Sequence, residues 1–242
     1  MTVDQVIQEC RIDDGIVFLP EVQLDRKTYQ GVAKKLQGIG GKWNRKSKGF
    51  VFSSDPSELL GRVKEGENIN LKKQFQFFET PGNVQLIMQD YISSPNLEAL
   101  EPSAGKGALI GRLPKKYNVT YCELNPECVK SIEEQDFPDT EFAAFDFMDY
   151  STDNKFGLVF ANPPFTKGQY CDHIIKMFDH LVSGGRIVTV APIGFTFAKN
   201  GKQKKFKEWL ETKEHIIIDL PENAFKSSGT MVKTCVIIID NN

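Results

Sequence analysis

Leu97-Glu98-Ala99-Leu100-Glu101-Pro102-Ser103-Ala104-Gly105-Lys106-Gly107-Ala108-Leu109-Ile110 is the stretch that decides the architecture. It opens as a strand, turns through glycines, and predicts the start of a helix at Ala108-Leu109-Ile110. Gly105 and Gly107 let the backbone approach a ligand without Cβ interference, and a helix amino terminus behind them offers free N–H groups. A Gly-x-Gly pair alone is a weak signal. It gains weight because the next apolar strand, Val119-Thr120-Tyr121-Cys122, ends in Glu123, 18 residues past Gly105. That is the spacing of a nucleotide-type βαβ unit, in which the carboxylate accepts both ribose hydroxyls. Asn125-Pro126 then supplies an N-cap and a first-turn proline for the following helix.

Outward from this stretch the pattern alternates. Strands are expected near residues 97, 118, 140, 156, 186, 215 and 232. A helix after Thr80-Pro81 carries Val84, Ile87, Met88 and Tyr91 on one face, and another directs Ile174, Met177, Phe178 and Leu181 inward. The fold class is therefore α/β, a Rossmann-like doubly wound sheet over residues 75–242, closed by a hairpin-like last pair of strands. Periodicity alone does not separate this fold from a dehydrogenase.

Residues 1–70 predict a separate small α+β domain of β-α-β-β-α order, divided from the rest by polar, aperiodic residues near 65–75. Ile16 to Leu19 is its first strand, Tyr29, Val32, Ala33 and Leu36 share a helix face, and Asp55-Pro56-Ser57-Glu58 starts a second helix. Between residues 26 and 54 stand Arg26, Lys27, Lys34, Lys35, Lys42, Arg45, Lys46 and Lys48 with no acid among them. This is a candidate phosphate-binding face. Trp43 is a candidate nucleic-acid contact within Lys42 to Lys46, with packing in the core the favoured reading, while Asn44 and Arg45 are of the types that read adenine and guanine edges.

The tetrapeptide Asn162-Pro163-Pro164-Phe165 closes the apolar run Leu158 to Ala161. Its prolines lock φ and donate no hydrogen bonds, so the carbonyls of Asn162 and Pro163 are held outward as acceptors beside an aromatic face. The alternative reading is a strand ending in a proline turn.

With these residues in view, the chain resembles the class I S-adenosylmethionine-dependent methyltransferases, specifically the N6-adenine DNA methyltransferases, over roughly residues 75 to 240. The resemblance implies S-adenosylmethionine as cofactor and a seven-stranded sheet. It places Phe78, Thr80 and Pro81 at the methionine carboxylate, and Glu101, Ser103, Ala104, Gly105 and Gly107 in the glycine loop. Glu123 falls on the ribose, Asp146 and Phe147 on the adenine edge and its stacking face, and Asn162 to Phe165 on the catalytic tetrapeptide. Leu220-Pro221-Glu222-Asn223-Ala224-Phe225 with Gly229-Thr230 looks like the family's last conserved block. The motif order is similar to the γ group, in a small enzyme of phage or plasmid type.

On that reading the substrate is the N6 amine of adenine in DNA, flipped from a duplex onto Phe165, with Phe195 or Phe225 as the opposite wall. Lys202 and Lys205, in a basic stretch from Lys199 to Lys207 after a central strand, are candidate phosphate contacts; the bland reading is an amphipathic helix burying Phe206, Trp209 and Leu210. The same tetrapeptide serves enzymes acting on RNA adenine or protein glutamine, and a non-catalytic DNA-binding protein is a third possibility. A departure from the family is the absence of a long recognition domain, since only about sixty residues separate the two main motifs. Recognition then falls to the amino-terminal unit, to a dimer, or is loose; monomer and homodimer both stay open.

The formal charge of −2 gives no global polyanion footprint, so any such surface must be local. The five cysteines form no Cys-x-x-Cys pair and are expected as reduced core thiols of a cytoplasmic, bacterial-type protein. The three histidines lack ligand-like grouping, and no metal site is expected. No signal peptide, membrane-length apolar run or repeat is read.

Overall fold

A computed structural model of the chain describes residues 1–52, 55–71 and 78–242, which form two compact units, Met1–Gln76 and Phe77–Asn242. Lys72 to Gln74, part of the expected break, and Ser53-Ser54, the end of the acid-free stretch, lie outside the described residues.

The first unit holds α1 (Val3–Glu9), β1 (Arg11–Asp13), β2 (Ile16–Phe18), α2 (Arg26–Gly38), β3 (Lys42–Asn44), β4 (Gly49–Val51) and α3 (Ser57–Lys64). Its antiparallel sheet runs β1-β2-β4-β3. The expected β-α-β-β-α order therefore lacked α1 and β1, although both carry local signatures. Thr2 and Gln5 form a reciprocal capping box ahead of buried Val6 and Ile7. Asp14 and Gly15, both at positive φ, make the two-residue hairpin turn that Asp-Gly favours. Val17, Val32, Leu36, Phe50 and Leu60 form the core of this unit.

The second unit is built on seven strands: β5 (Glu98–Glu101), β6 (Asn118–Cys122), β7 (Thr140–Ala144), β8 (Phe156–Ala161), β9 (Leu181–Pro192), β10 (Glu214–Asp219) and β11 (Thr234–Asn241). Their order is β10-β11-β9-β8-β5-β6-β7, and only β11 runs against its neighbours. Helices α4 (Gly82–Gln89), α5 (Pro126–Glu133), α6 (Gln169–Asp179) and α7 (Gly201–Leu210) cover it. All six residues of β8 are buried because both faces of the sheet are covered: Leu158 and Phe160 join α4 and α5 on one side, Val159 and Ala161 join α6 and α7 on the other. The chain runs from β5 to β6 and β7 on one side and then crosses back to place β8 on the other side of β5, so the carboxyl ends of β5 and β8 flank a topological switch point, where open α/β sheets place ligands.

One expectation fails at this point. No α-helix follows the glycine loop; the chain makes only a 3-10 turn, Ile110–Arg112, before Leu113 goes extended. Gly111 weakens the helix, and Pro114 removes a donor and forces the residue before it out of helical space. The loop cannot then rely on a helix amino terminus.

Candidate active site

Glu101 ends β5 inside the protein, 1% exposed. Its Oε1 accepts the Ser103 N–H at 3.1 Å, and its Oε2 has no partner among the described residues. Burial pushes its carboxyl well above the usual range, the nearby Glu123 charge adds to this, and the Ser103 N–H opposes it. A raised folded-state value means that Glu101 contributes stability fully below the ordinary carboxylate range, and that this is lost as pH rises through the raised value. Glu101→Gln is therefore expected to flatten the pH dependence of the ligand-free protein. It should raise Tm at pH 8 by about 2–4 °C, the response of a chain this size to ~1 kcal/mol; melts at pH 5 and pH 8 check it, and an unchanged slope refutes it.

Glu123, at the end of β6, is 7% exposed. Its Oε2 accepts the Gly105 N–H and its Oε1 the Asn125 N–H, both at 2.7 Å. Burial raises its pKa, while both N–H bonds favour the ionised form. This carboxylate thus shapes the glycine loop as well as facing it. Gly105 sits at φ 56° and Gly107 at φ 82°. A Cβ on Gly107 would come within 2.7 Å of the Phe137 ring, so this glycine is required by packing, whatever ligand lies outside. Ala104 is buried beneath the loop and Ser103 is half-exposed at its mouth.

After β7, Asp146 is exposed and its Oδ1 accepts the Met148 N–H at 2.8 Å. Its neighbour corrects an expectation. Phe147 is 2% exposed and lies between the rings of His173 and His180, at 5.6 and 5.7 Å, so it stacks within the core and not on a ligand. Two exposed apolar side chains stand near Glu123 instead: Leu124, at 44%, and Phe145, at 51%, which follows the residue whose carbonyl accepts the Glu123 N–H. Neither was expected there; the signal for Leu124 was an apolar residue directly between the strand-end acid and the helix cap.

Asn162 follows β8, half-buried. Its Nδ2 donates to the Phe78 carbonyl and to Thr80 Oγ1, both at 3.1 Å. A carbonyl only accepts, so the amino end of Asn162 must face it, and Oδ1 is the acceptor end, without a donor among the described residues. Thr80 is 4% exposed, and Pro81 precedes α4 in an extended conformation. Pro163 is buried, while Pro164 and Phe165 are half-buried. Phe165 meets Tyr170 and Phe225 edge to face, at 6.3 and 6.4 Å. Ser228 Oγ donates to the Glu79 carbonyl at 2.5 Å, tying the Leu220–Thr230 segment to the one that holds Asn162.

Two proposed walls are corrected. Phe225 is 1% exposed and supports Phe165 from within the core; Phe195, also 1% exposed, packs 5.1 Å from Phe206 of α7. Neither presents a face to solvent. On α7 itself Phe206 and Leu210 are buried, Lys202 pairs with Asp172 at 2.5 Å, and Lys205 is exposed.

In the first unit Trp43 is 41% exposed, contrary to the expected burial. It lies on β3, the edge strand of the sheet among the described residues, and packs edge to face on Tyr29 and Phe50 at 6.3 and 5.2 Å. Asn44 is a second correction: its Oδ1 accepts the N–H groups of Lys46 and Ser47, at 2.8 and 3.2 Å, and so builds the turn. It is not free for a bidentate adenine contact. Lys42, Arg45, Lys46 and Lys48 are exposed around it, with no acidic partner among the described residues.

Comparison with known proteins adds a partial family match and a fold. Residues 146–242, less than half of the chain, match the N-6 DNA Methylase family. No curated protein matches the sequence. Among solved structures, a Listeria monocytogenes protein assigned as a class I S-adenosylmethionine-dependent methyltransferase aligns with TM-score 0.55 and 14% identity, over 76% of this chain and 66% of its own. A modification subunit assigned to a type I restriction enzyme of Vibrio vulnificus aligns with TM-score 0.54 and 15% identity, over 89% of this chain and 53% of its own. An O-methyltransferase of Streptomyces achromogenes, solved with S-adenosylmethionine, aligns with TM-score 0.53 and 12% identity, over 71% and 86%. This chain thus spans about half the length of the modification subunit and just under two thirds of the Listeria protein.

Proposed function

We propose that this chain, a class I S-adenosylmethionine-dependent methyltransferase by fold whose carboxy-terminal part matches the N-6 DNA methylases, methylates the N6 amine of adenine in DNA. The observation that carries the reading is the locked amide of Asn162, whose Nδ2 is held by Phe78 and Thr80 so that Oδ1 is the acceptor at the switch point. The residues fit the cofactor. Glu101 Oε2 is a buried acceptor without a donor, suited to an ammonium group, and Glu123 beside the positive-φ Gly105 and exposed Leu124 suits a ribose and its base. When bound, S-adenosylmethionine supplies a methyl group on a sulfonium.

The chain's own task is to prepare the amine. Its lone pair is delocalised into the ring and is a poor nucleophile. Asn162 Oδ1 and the Pro163 carbonyl each accept one N6 hydrogen, which draws the nitrogen toward pyramidal geometry and frees the lone pair. Phe165, buttressed by Tyr170 and Phe225, offers the stacking face that fixes its orientation. No strong base is needed beforehand, because the proton becomes acidic as the methyl arrives.

The test is methylation of duplex DNA, heat-denatured DNA, RNA and glutamine-bearing peptides, with the product identified by mass spectrometry. N6-methyladenine from DNA is the expected result. Transfer confined to RNA or peptide would move the same chemistry to another planar amine, and no transfer to any of them would leave a binding protein.

We assign recognition to the first unit, supported by its unpaired cations around the exposed Trp43. Charge reversal at Arg45 and Lys46 is expected to lower the slope of log affinity against log salt by about one for each lost phosphate contact on duplex DNA. If affinity, slope and methylation pattern all stay unchanged, the unit is not the reader.

A further inference from the structure

On the part of the rim formed by β9 and β11, Phe197 is 77% exposed, Met231 64% and Val232 47%. Phe197 ends the 3-10 turn Ile193–Phe197 that leaves β9, and Met231 and Val232 lead into β11. The two segments are joined, since the Ile193 N–H donates to the Lys233 carbonyl at 3.0 Å. β9 is the immediate neighbour of β8, with Thr189 opposite Ala161, so the turn that carries Phe197 leaves the strand next to the one that delivers Asn162.

The turn is also rigidly seated. Phe195 packs on Phe206 at 5.1 Å, Phe206 on Tyr170 at 5.8 Å, and Tyr170 on Phe165 at 6.3 Å. Phe197 is therefore presented by the same aromatic layer that supports the tetrapeptide. It does not belong to that layer; it points away from it, into solvent.

The charges around the patch select its occupant. Lys202 and Lys233 are matched by Asp172 and Glu222. Lys199, Lys205 and Lys226, on the segments leaving this rim, have no ion-pair partner among the described residues. A purely apolar partner would strip water from these cations without compensation, whereas a polyanion with stacked bases satisfies both the lysines and the apolar tips.

We infer that Phe197, with Met231 on the adjoining segment, is a wedge that enters the stack of duplex DNA and fills the space left when the target adenine swings out toward Asn162, while Lys199 and Lys205 hold flanking phosphates. The inference rests on the adenine reading above. Flipping leaves a hole in the stack, and an inserted ring offsets part of the stacking that is lost. In single-stranded DNA there is no hole to fill.

The experiment compares kcat/KM on duplex DNA and on the same DNA heat-denatured, for the whole chain and for Phe197→Ala, Phe197→Trp and Met231→Ala. Phe197→Ala is expected to lower the duplex to single-strand ratio about tenfold, Met231→Ala less, and Phe197→Trp to restore most of it. The site is exposed, so the variants should melt like the parent. A Phe197→Ala ratio equal to the parent's, whether both rates fall together or neither moves, overturns the wedge while leaving adenine methylation standing. A concentration-dependent dimer in sedimentation that Phe197→Ala dissolves would give the patch to self-association instead. If the unaltered chain methylates adenine in neither DNA, the underlying reading fails and the wedge with it.

Discussion

Asn162→Ala is expected to lower kcat by about three orders of magnitude, the scale seen when a group placed for transition-state charge is removed. The substitution deletes the acceptor that localises the amine lone pair. It also frees the Phe78 carbonyl and Thr80 Oγ1, which the Asn162 amide now holds at 3.1 Å each. Affinity for S-adenosylmethionine should consequently fall as well, but only severalfold, because Glu101, Glu123 and the glycine loop are untouched. Asn162→Asp is expected to be no rescue: a carboxylate has no hydrogen for the Phe78 carbonyl and would sit against it with a negative charge. Thr80→Val separates the two roles. It removes one partner of the amide and leaves Oδ1 in place, so turnover should drop about tenfold, and the Asn162→Ala Thr80→Val double variant should be no worse than Asn162→Ala alone. Single-turnover methylation with calorimetric cofactor binding checks each case. Normal turnover in Asn162→Ala would remove the catalytic assignment.

The parts of this site that were legible in the sequence are those dictated by backbone chemistry. Phe156 to Ala161 reads as a strand buried on both sides because it is apolar throughout, and Asn125-Pro126 reads as a helix start because Asn125 caps the Glu127 N–H. The spacing from Gly105 to Glu123 marked a glycine turn and a strand-end acid; that the two are hydrogen-bonded to each other was not read from it. Aromatic direction was not legible. Phe147, Phe195 and Phe225 all follow strands at the functional rim, yet each is drawn inward by helices or segments packed from elsewhere in the chain, while Phe197, two residues past Phe195, is left outside. Neighbouring residues on a turn have no fixed period that tells which faces the core. Trp43 was misjudged for the opposite reason: its size favours burial, but it stands on the strand that ends the sheet, with no further strand beside it among the described residues. Asn44 could serve either a base or its own turn, and the local bonds to Lys46 and Ser47 take precedence.

Glu123→Ala is expected to weaken S-adenosylmethionine binding about a hundredfold, because the carboxylate does two things at once. It is the acceptor for the ribose on the proposed reading, and it already holds the Gly105 and Asn125 N–H groups at 2.7 Å. Hydrogen bonds to a charged group contribute about 1.5–3 kcal/mol each, so losing one to the ligand alone accounts for most of a hundredfold change. Loosening of the Gly105 backbone adds to it. Glu123→Gln keeps the shape but leaves only one accepting oxygen for two N–H donors, and should fall between, at about tenfold. The burial that raises the Glu123 pKa gives the pH dependence its sign: as pH falls through that raised value the carboxylate is protonated, loses an acceptor, and affinity declines. In Glu123→Ala that acid-side decline should shrink to what Glu101 alone contributes. Calorimetry from pH 5 to pH 8, on variants shown to melt cooperatively, measures both effects; unchanged affinity in a folded Glu123→Ala chain would mean that the ribose lies elsewhere.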